Sequence, residues 1–212
     1  MYGEVYFLRA YYYFELVKFF GDVPLFTEAR LTAGQAGTLT RTPKDEVYAQ
    51  IELDLQNAIA SLPNSQSQVG RVNKYTAYAL LGKVLLYQDK FAEAASALDN
   101  VIGVYSLVSD YGSQFLRFGE NGPESVFEIQ YSNQSNWYDW GCVHCSEGNY
   151  AIIMNGPRGW SGPEYAQGWS FNVPTEEFYN SFEEGDSRRD ATVLDIEAFA
   201  AASGASYTEG YD

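Results

Sequence analysis

Between Arg71 and Ile102 the chain reads as two short helices folded against each other, and this pattern restricts the fold more than any other feature. Leu81-Gly82 is followed by Leu85, then by Asp89-Lys90-Phe91, then by Ala94, Leu98 and Val101. A small residue at Gly82 lets the first helix approach its partner. Phe91 closes the turn, and a second small residue, Ala94, sits where the helices cross. A mid-helix glycine costs about 1 kcal/mol relative to alanine, so close approach is the physical reason for Gly82. One such hairpin cannot bury its own apolar face. Further helices must pack on it.

The spacing is close to the tetratricopeptide repeat, and the chain upstream supplies the neighbours. Residues 2–20 form a helical pattern rich in aromatics, with Tyr6, Phe7, Tyr11, Tyr12, Tyr13, Phe14, Phe19 and Phe20. Apolar residues lie all round it, which predicts burial between other helices. Gly21-Asp22-Val23-Pro24 ends it, because glycine suits the position after a helix and proline cannot continue one. After a Gly- and Thr-rich loop, Thr42-Pro43-Lys44-Asp45 reads as a helix start, with Thr42 as cap and Pro43 as first helical residue. Val47, Ile51, Leu55, Ala58, Ile59 and Leu62 recur at helical spacing, and Leu62-Pro63 stops the run. At least four helices are expected before residue 103.

The texture then changes. Glu124 to Tyr131 alternates, with Phe127, Ile129 and Tyr131 on one side, and reads as a short strand. From Ser132 to Ser170 the chain is rich in Gly, Asn and Ser and holds all four tryptophans, Trp137, Trp140, Trp160 and Trp169. So long an irregular stretch is usually functional. Val173-Pro174-Thr175-Glu176 opens a last short helix through Phe178 and Phe182, closed by Gly185. The tail from Ala198 carries weak signals. The expected fold is mostly α, with tetratricopeptide-like helical repeats over 1–104, an irregular Trp-rich layer over 105–212, and little β.

Charge narrows the function. Thirteen basic against 28 acidic residues give a net charge of −15. Nucleic-acid affinity rests on clustered Lys and Arg, so a nucleic-acid partner is not expected, and anionic membrane surfaces are disfavoured for the same reason. No apolar run of 18 residues is present to span a bilayer. Aromatics make up 17% of the chain, 18 of them Tyr. Tyr and Trp combine a flat apolar face with a polar edge, which suits sugar-like or peptide-like ligands. The chain opens inside an uncapped helical pattern and is expected to be a piece of a longer protein.

Gly3 to Phe14 leads into Phe20-Gly21-Asp22-Val23-Pro24-Leu25. In the same order follow Val47-Tyr48 through Leu62-Pro63, Gly70-Arg71 through Tyr87, and Glu124-Ser125-Val126-Phe127-Glu128. The last is Gly168-Trp169-Ser170-Phe171-Asn172-Val173-Pro174-Thr175, continuing to Asp190. Together these segments resemble the RagB/SusD family of surface glycan-binding lipoproteins of Bacteroidetes-type outer membranes. The resemblance implies an all-helical tetratricopeptide scaffold with a loop-rich partner layer. It also implies capture without catalysis. Such a protein takes up oligosaccharide at the outer-membrane surface and delivers it to a TonB-dependent transporter. No cofactor is implied, and membrane attachment is through a lipid anchor absent from this chain.

Sugar rings stack their C–H faces on aromatic planes while their hydroxyls need amide and carboxylate partners. Trp137, Tyr138 and Trp140, flanked by Asn133, Gln134, Asn136 and Asp139, supply both kinds of group. Trp160 and Tyr165 are a second candidate pair. The alternative for each ring is packing of loops on helices, and Trp169 and Phe171 are assigned that structural role. A protein-interaction scaffold docking a transporter or peptide, without a sugar site, is the competing reading of the whole chain.

Enzymatic readings have less to stand on. His144 is the sole histidine, so any Ser-His or Cys-His mechanism would depend on it. Gly159-Trp160-Ser161-Gly162 departs from a nucleophile elbow, because the second glycine falls one position early. Glu176-Glu177 and Glu183-Glu184 are adjacent pairs whose side chains point apart, unlike a glycosidase pair across a scissile bond. Asp186, Arg188 and Arg189 read as a local ion-pair cluster. Cys142-Val143-His144-Cys145 offers three soft ligands where a closed zinc site wants four, so no metal is assigned. A short disulfide and unpaired structural thiols both remain open there.

Overall fold

The computed structural model describes residues 2–28, 30–131 and 150–210, with side chains from residue 153 onward in the last stretch. The chain divides into two compact units, Met1–Leu107 with Pro123–Glu128, and Val108–Gly122 with Ile129–Asp212.

The first unit is built from helices. In α1 (Tyr2–Phe20) the buried positions are Gly3, Phe7, Ala10, Phe14 and Val17, alternating four and three apart, which places them on one stripe. After a single capped turn, α2 (Ala33–Ala36), comes α3 (Lys44–Ser61). Its Val47, Ile51, Leu55 and Ala58 are fully covered and meet the α1 stripe. Each large side chain buried here contributes about 1.5–3 kcal/mol of transfer free energy. The two helices run antiparallel, since Gly3 near the start of α1 lies against Leu62 at the end of α3. At the other end, Asp22 after α1 accepts the Lys44 N–H at the start of α3 (2.9 Å).

That last contact corrects the expected cap. Pro43 precedes the first helical residue, and Thr42 caps nothing with its side chain. Its backbone pairs instead with Val23 in both directions (2.9 and 3.3 Å). The free N–H groups of a helix start need an acceptor, and here the preceding loop provides one from 22 residues away.

α4 (Lys74–Leu86) and α5 (Phe91–Leu98) form the anticipated hairpin. Asn73 and Thr76 make a reciprocal capping box at the start of α4. A Cβ added at Gly82 would stand 2.5 Å from Leu98 Cγ, so Gly82 does permit the close approach. Asp89 takes a left-handed conformation (φ 59°) in the turn. Gln88 and Lys90 then anchor that turn to Glu52 of α3 (2.8 and 2.6 Å).

Within its unit α1 is covered on one face, and Tyr2, Val5, Tyr12, Leu16 and Phe19 are exposed. One expectation is overturned: residues 124–131 form no strand. Among the described residues there are isolated bridges but no ladder. Phe127 instead packs edge-on against Phe7, and the Val126 carbonyl accepts from Thr76 Oγ1 (3.1 Å). The alternation of Phe127 with Ile129 and Tyr131 reflects no shared face, because the latter two are exposed.

The second unit is built from short pieces: α6 (Tyr150–Asn155), α7 (Glu176–Asn180), α8 (Arg188–Thr192) and α9 (Ile196–Ser203). α7 opens where expected, with Thr175 as its cap accepting the Phe178 N–H, but it ends at Asn180, short of Phe182 and Gly185. α6, α8 and α9 are additions to the sequence reading. α9 has a regular start and stop, with Asp195 accepting the Ala198 N–H and Gly204 left-handed at φ 70°. The described residues are mostly helical and turn, as the repeat pattern implies.

Candidate functional site

The Gly168–Thr175 segment shapes the second unit. Its backbone lies along residues 153–158: Gly168, Trp169, Ser170 and Phe171 donate to the carbonyls of Pro157, Ile153, Gly156 and Met154 at 2.8–3.0 Å. This approach is possible only without a side chain at 168. A Cβ there would meet three backbone atoms of Gly156 at 2.3–2.4 Å. Ser170 turns the chain in the left-handed region (φ 51°), and its hydroxyl accepts the Arg158 N–H (2.9 Å). The Arg158 guanidinium closes the arrangement by donating twice to the Trp169 carbonyl (3.1 and 2.7 Å).

Beside this scaffold opens a cleft of about 900 Å³. Asn155, Ser170 and Asn172 line one part, Tyr165 and Tyr179 bring aromatic rings, and Glu176, Asp195 and Glu197 bring carboxylates. The size lies within the range of small-ligand sites, and a mixture of aromatic faces with a few hydrogen-bonding groups is their usual lining. Asn172 Nδ2 donates to Asn155 Oδ1 (3.2 Å), which orients both amides. One face of Tyr179 is taken by the Arg189 guanidinium, 4.9 Å from the ring centre.

Tyr165 and Trp160, paired in the sequence reading, do come together, with ring centres 6.0 Å apart and nearly perpendicular. Their situations differ, and the pairing needs correcting. Tyr165 is 44% exposed and lines the cleft. Trp160 is only 6% exposed, held between Phe199 (5.8 Å) and Gly162, so its ring has no face to offer a ligand. Phe199 also meets Tyr165 edge-on at 5.2 Å. Trp160 and Phe199 thus fix the orientation of Tyr165 from behind. The edge of this cluster is closed where Ser161 and Ser206 exchange backbone hydrogen bonds (2.8 and 3.0 Å). Ser161 therefore lies in a backbone bridge, not on the sharp strand-to-helix turn of a nucleophile elbow.

Trp169 is half-buried beside Phe171, at 5.4 Å between ring centres. Trp137, Tyr138, Trp140, Asn136 and Asp139, with Asn133 and Gln134, lie outside the described residues, as do Cys142, His144 and Cys145. The ion-pair cluster is present as Arg188–Asp186 and Arg189–Asp190. Arg188 holds the Asp186 carboxyl down from its ordinary 3.8 to about 2, through hydrogen bonds from its side chain and backbone N–H. Among the described residues no group of His, Cys, Asp and Glu is arranged to hold a metal ion. Asn172, Glu197 and Asp195 were missed as cleft residues. The segment containing Asn172 was visible in the sequence, but α9, which carries Glu197 and is capped by Asp195, was not.

Helical hairpins in one unit, and an aromatic, amide-lined cleft in the other, define a helical-repeat protein with a loop-built site. Residues 1–86 match the family model described as SusD-like, starch-binding associating with outer membrane. The SusD-like protein P2 of Formosa agariphila is 33% identical over 202 residues, covering 92% of this chain and 39% of that protein. Among solved structures, a laminarin binding SusD-like protein is 38% identical with a TM-score of 0.88, over 99% of this chain and 49% of that one. Surface glycan-binding protein A from Bacteroides thetaiotaomicron in complex with laminarihexaose is 27% identical, with a TM-score of 0.82, over 94% and 43%. The chain belongs to the RagB/SusD family. It spans about two fifths to one half of the length of these relatives.

Proposed function

We propose that this protein binds oligosaccharide without catalysis and that the cleft around Tyr165 is one of its contact surfaces. The observation that carries the reading is the cleft itself. An aromatic ring backed by Trp160 and Phe199 stands beside an oriented amide pair, Asn155 and Asn172. A sugar ring needs that combination, an apolar plane for its C–H face and amides for its hydroxyls. The names of the similar structures point to β-glucan of the laminarin type as the first ligand to try.

Capture at the cell surface and hand-over to a TonB-dependent transporter complete the proposal, supported by the family's description as associating with the outer membrane. Trp137, Tyr138 and Trp140, with Asn136 and Asp139, are proposed as a second contact surface on the strength of their residue types alone. Isothermal titration with laminarin and with amylose tests the reading. Binding should weaken in Tyr165→Ala and, separately, in the Trp137→Ala, Trp140→Ala double variant. Unchanged affinity in the double variant removes those rings from the site. Binding of a transporter with no affinity for any glycan would favour the scaffold reading instead.

A further inference from the structure

We infer that the Tyr165 cleft selects neutral glycans and rejects sulfated or uronate-bearing ones, an inference that rests on the glycan-binding reading above. Three carboxylates, Glu176, Asp195 and Glu197, line the cleft, and no lysine or arginine joins them among its described lining residues. Of the three cations that come nearest in sequence, Arg188 is paired with Asp186, and Arg189 is paired with Asp190 while lying on Tyr179. Arg158 keeps its charge, but its guanidinium is held by the carbonyl of Trp169, which is not a lining residue.

Helix starts would ordinarily attract anions, and two of them border this cleft. Both are occupied. At α7 the Thr175 hydroxyl accepts the Phe178 N–H, with Glu176 and Glu177 in the first turn. At α9 the Asp195 carboxylate accepts the Ala198 N–H (2.9 Å), with Glu197 following. Acidic first-turn residues complement the helix dipole and leave no positive end for a sulfate or carboxylate. A neutral sugar loses nothing by this, since carboxylates and amides accept or exchange hydrogen bonds with its hydroxyls. An anionic sugar would bring like charge within a few ångströms of the lining, well inside the ~8 Å screening length of physiological salt.

The test compares laminarin with laminarin sulfate of matched length by titration calorimetry at low and high salt. It uses the wild-type chain and the Glu176→Gln, Asp195→Asn, Glu197→Gln variant, in which asparagine retains the helix cap. The wild type should bind the neutral polymer at least tenfold more tightly at low salt, about 1.4 kcal/mol. That gap should shrink at high salt and in the amide variant. Equal affinity for both polymers overturns the exclusion and leaves glycan capture standing. A gap that persists in the amide variant overturns it too, because size and not charge would then be responsible. Failure to bind any neutral glycan overturns the capture reading and this inference with it.

Discussion

The Arg9–Asp54 pair offers the sharpest test of how the helical unit is held. Asp54 on α3 is 1% exposed, and Arg9 on α1 is 28% exposed. Arg9 donates to both carboxylate oxygens, Nε at 2.7 Å and Nη2 at 2.6 Å, while Gln50 Nε2 adds a third bond at 2.9 Å. The remaining arm of Arg9 donates to the Thr27 carbonyl (3.0 Å). The hydrogen bond to Asp54, ahead of the opposing burial, raises the Arg9 pKa above its ordinary value. Arg9→Ala would leave a buried carboxylate with one neutral donor, and losing one partner of a buried pair costs about 3–5 kcal/mol. At about 2–4 °C per kcal/mol for a chain of this size, the melting temperature should fall by roughly 6–20 °C. Replacing both partners, as Arg9→Leu with Asp54→Leu, removes the uncompensated charge and should cost much less than either single change. Circular dichroism melts and urea titrations of the wild type, Arg9→Leu, Asp54→Leu and the double variant give the coupling energy directly. A single-variant cost below about 1 kcal/mol would match an exposed ion pair and would refute the argument that burial sets the magnitude.

Three further outcomes follow from the second unit. Gly168→Ala should disrupt the Gly168–Thr175 strap, because the clash is with backbone that cannot rotate away, and cost at least the roughly 1–3 kcal/mol of ordinary overpacking; lost amide protection at 168–171 in hydrogen exchange would show it. Trp160→Ala should destabilise by about 3–5 kcal/mol, whereas Tyr165→Ala should leave the melting curve nearly unchanged and weaken laminarin binding by about 1–3 kcal/mol, by analogy with base stacking on aromatics; thermal melts paired with titration separate the two. The Asp186 carboxyl should titrate near 2 by NMR and return toward 3.8 in Arg188→Ala. Because its pKa is lowered in the folded state, the Asp186–Arg188 contribution is fully present above about pH 4 and is lost as the pH falls through 2.

Much of the helical unit was legible in the residues because its information is local. The spacing of Val47, Ile51, Leu55 and Ala58 marks a stripe whatever packs on it, and all four are buried. Gly82 in mid-helix announces a close neighbour, and Leu98 is that neighbour. Asp54 shows where such reasoning stops. Its spacing along the chain does not distinguish it from a solvated acid, and it is Arg9, 45 residues away, that supplies the charge partner its burial needs.

The same division explains the corrections. Thr42 is a good cap by residue type, but folding brings Asp22 to the start of α3, and the nearer acceptor in space displaces the nearer one in sequence. Residues 124–131 alternate like a strand, yet a strand needs an edge to pair with, and Phe127 finds Phe7 instead. Trp160 and Tyr165 are alike in chemistry and five residues apart, and the sequence ranked them together. Phe199 decides between them: it covers Trp160 and leaves Tyr165 open to the cleft. Composition and periodicity determined that the chain would be helical, acidic and rich in sugar-compatible rings, since those follow from residue type and spacing. Which rings face a ligand depended on contacts between distant segments, and only the tertiary structure supplies those.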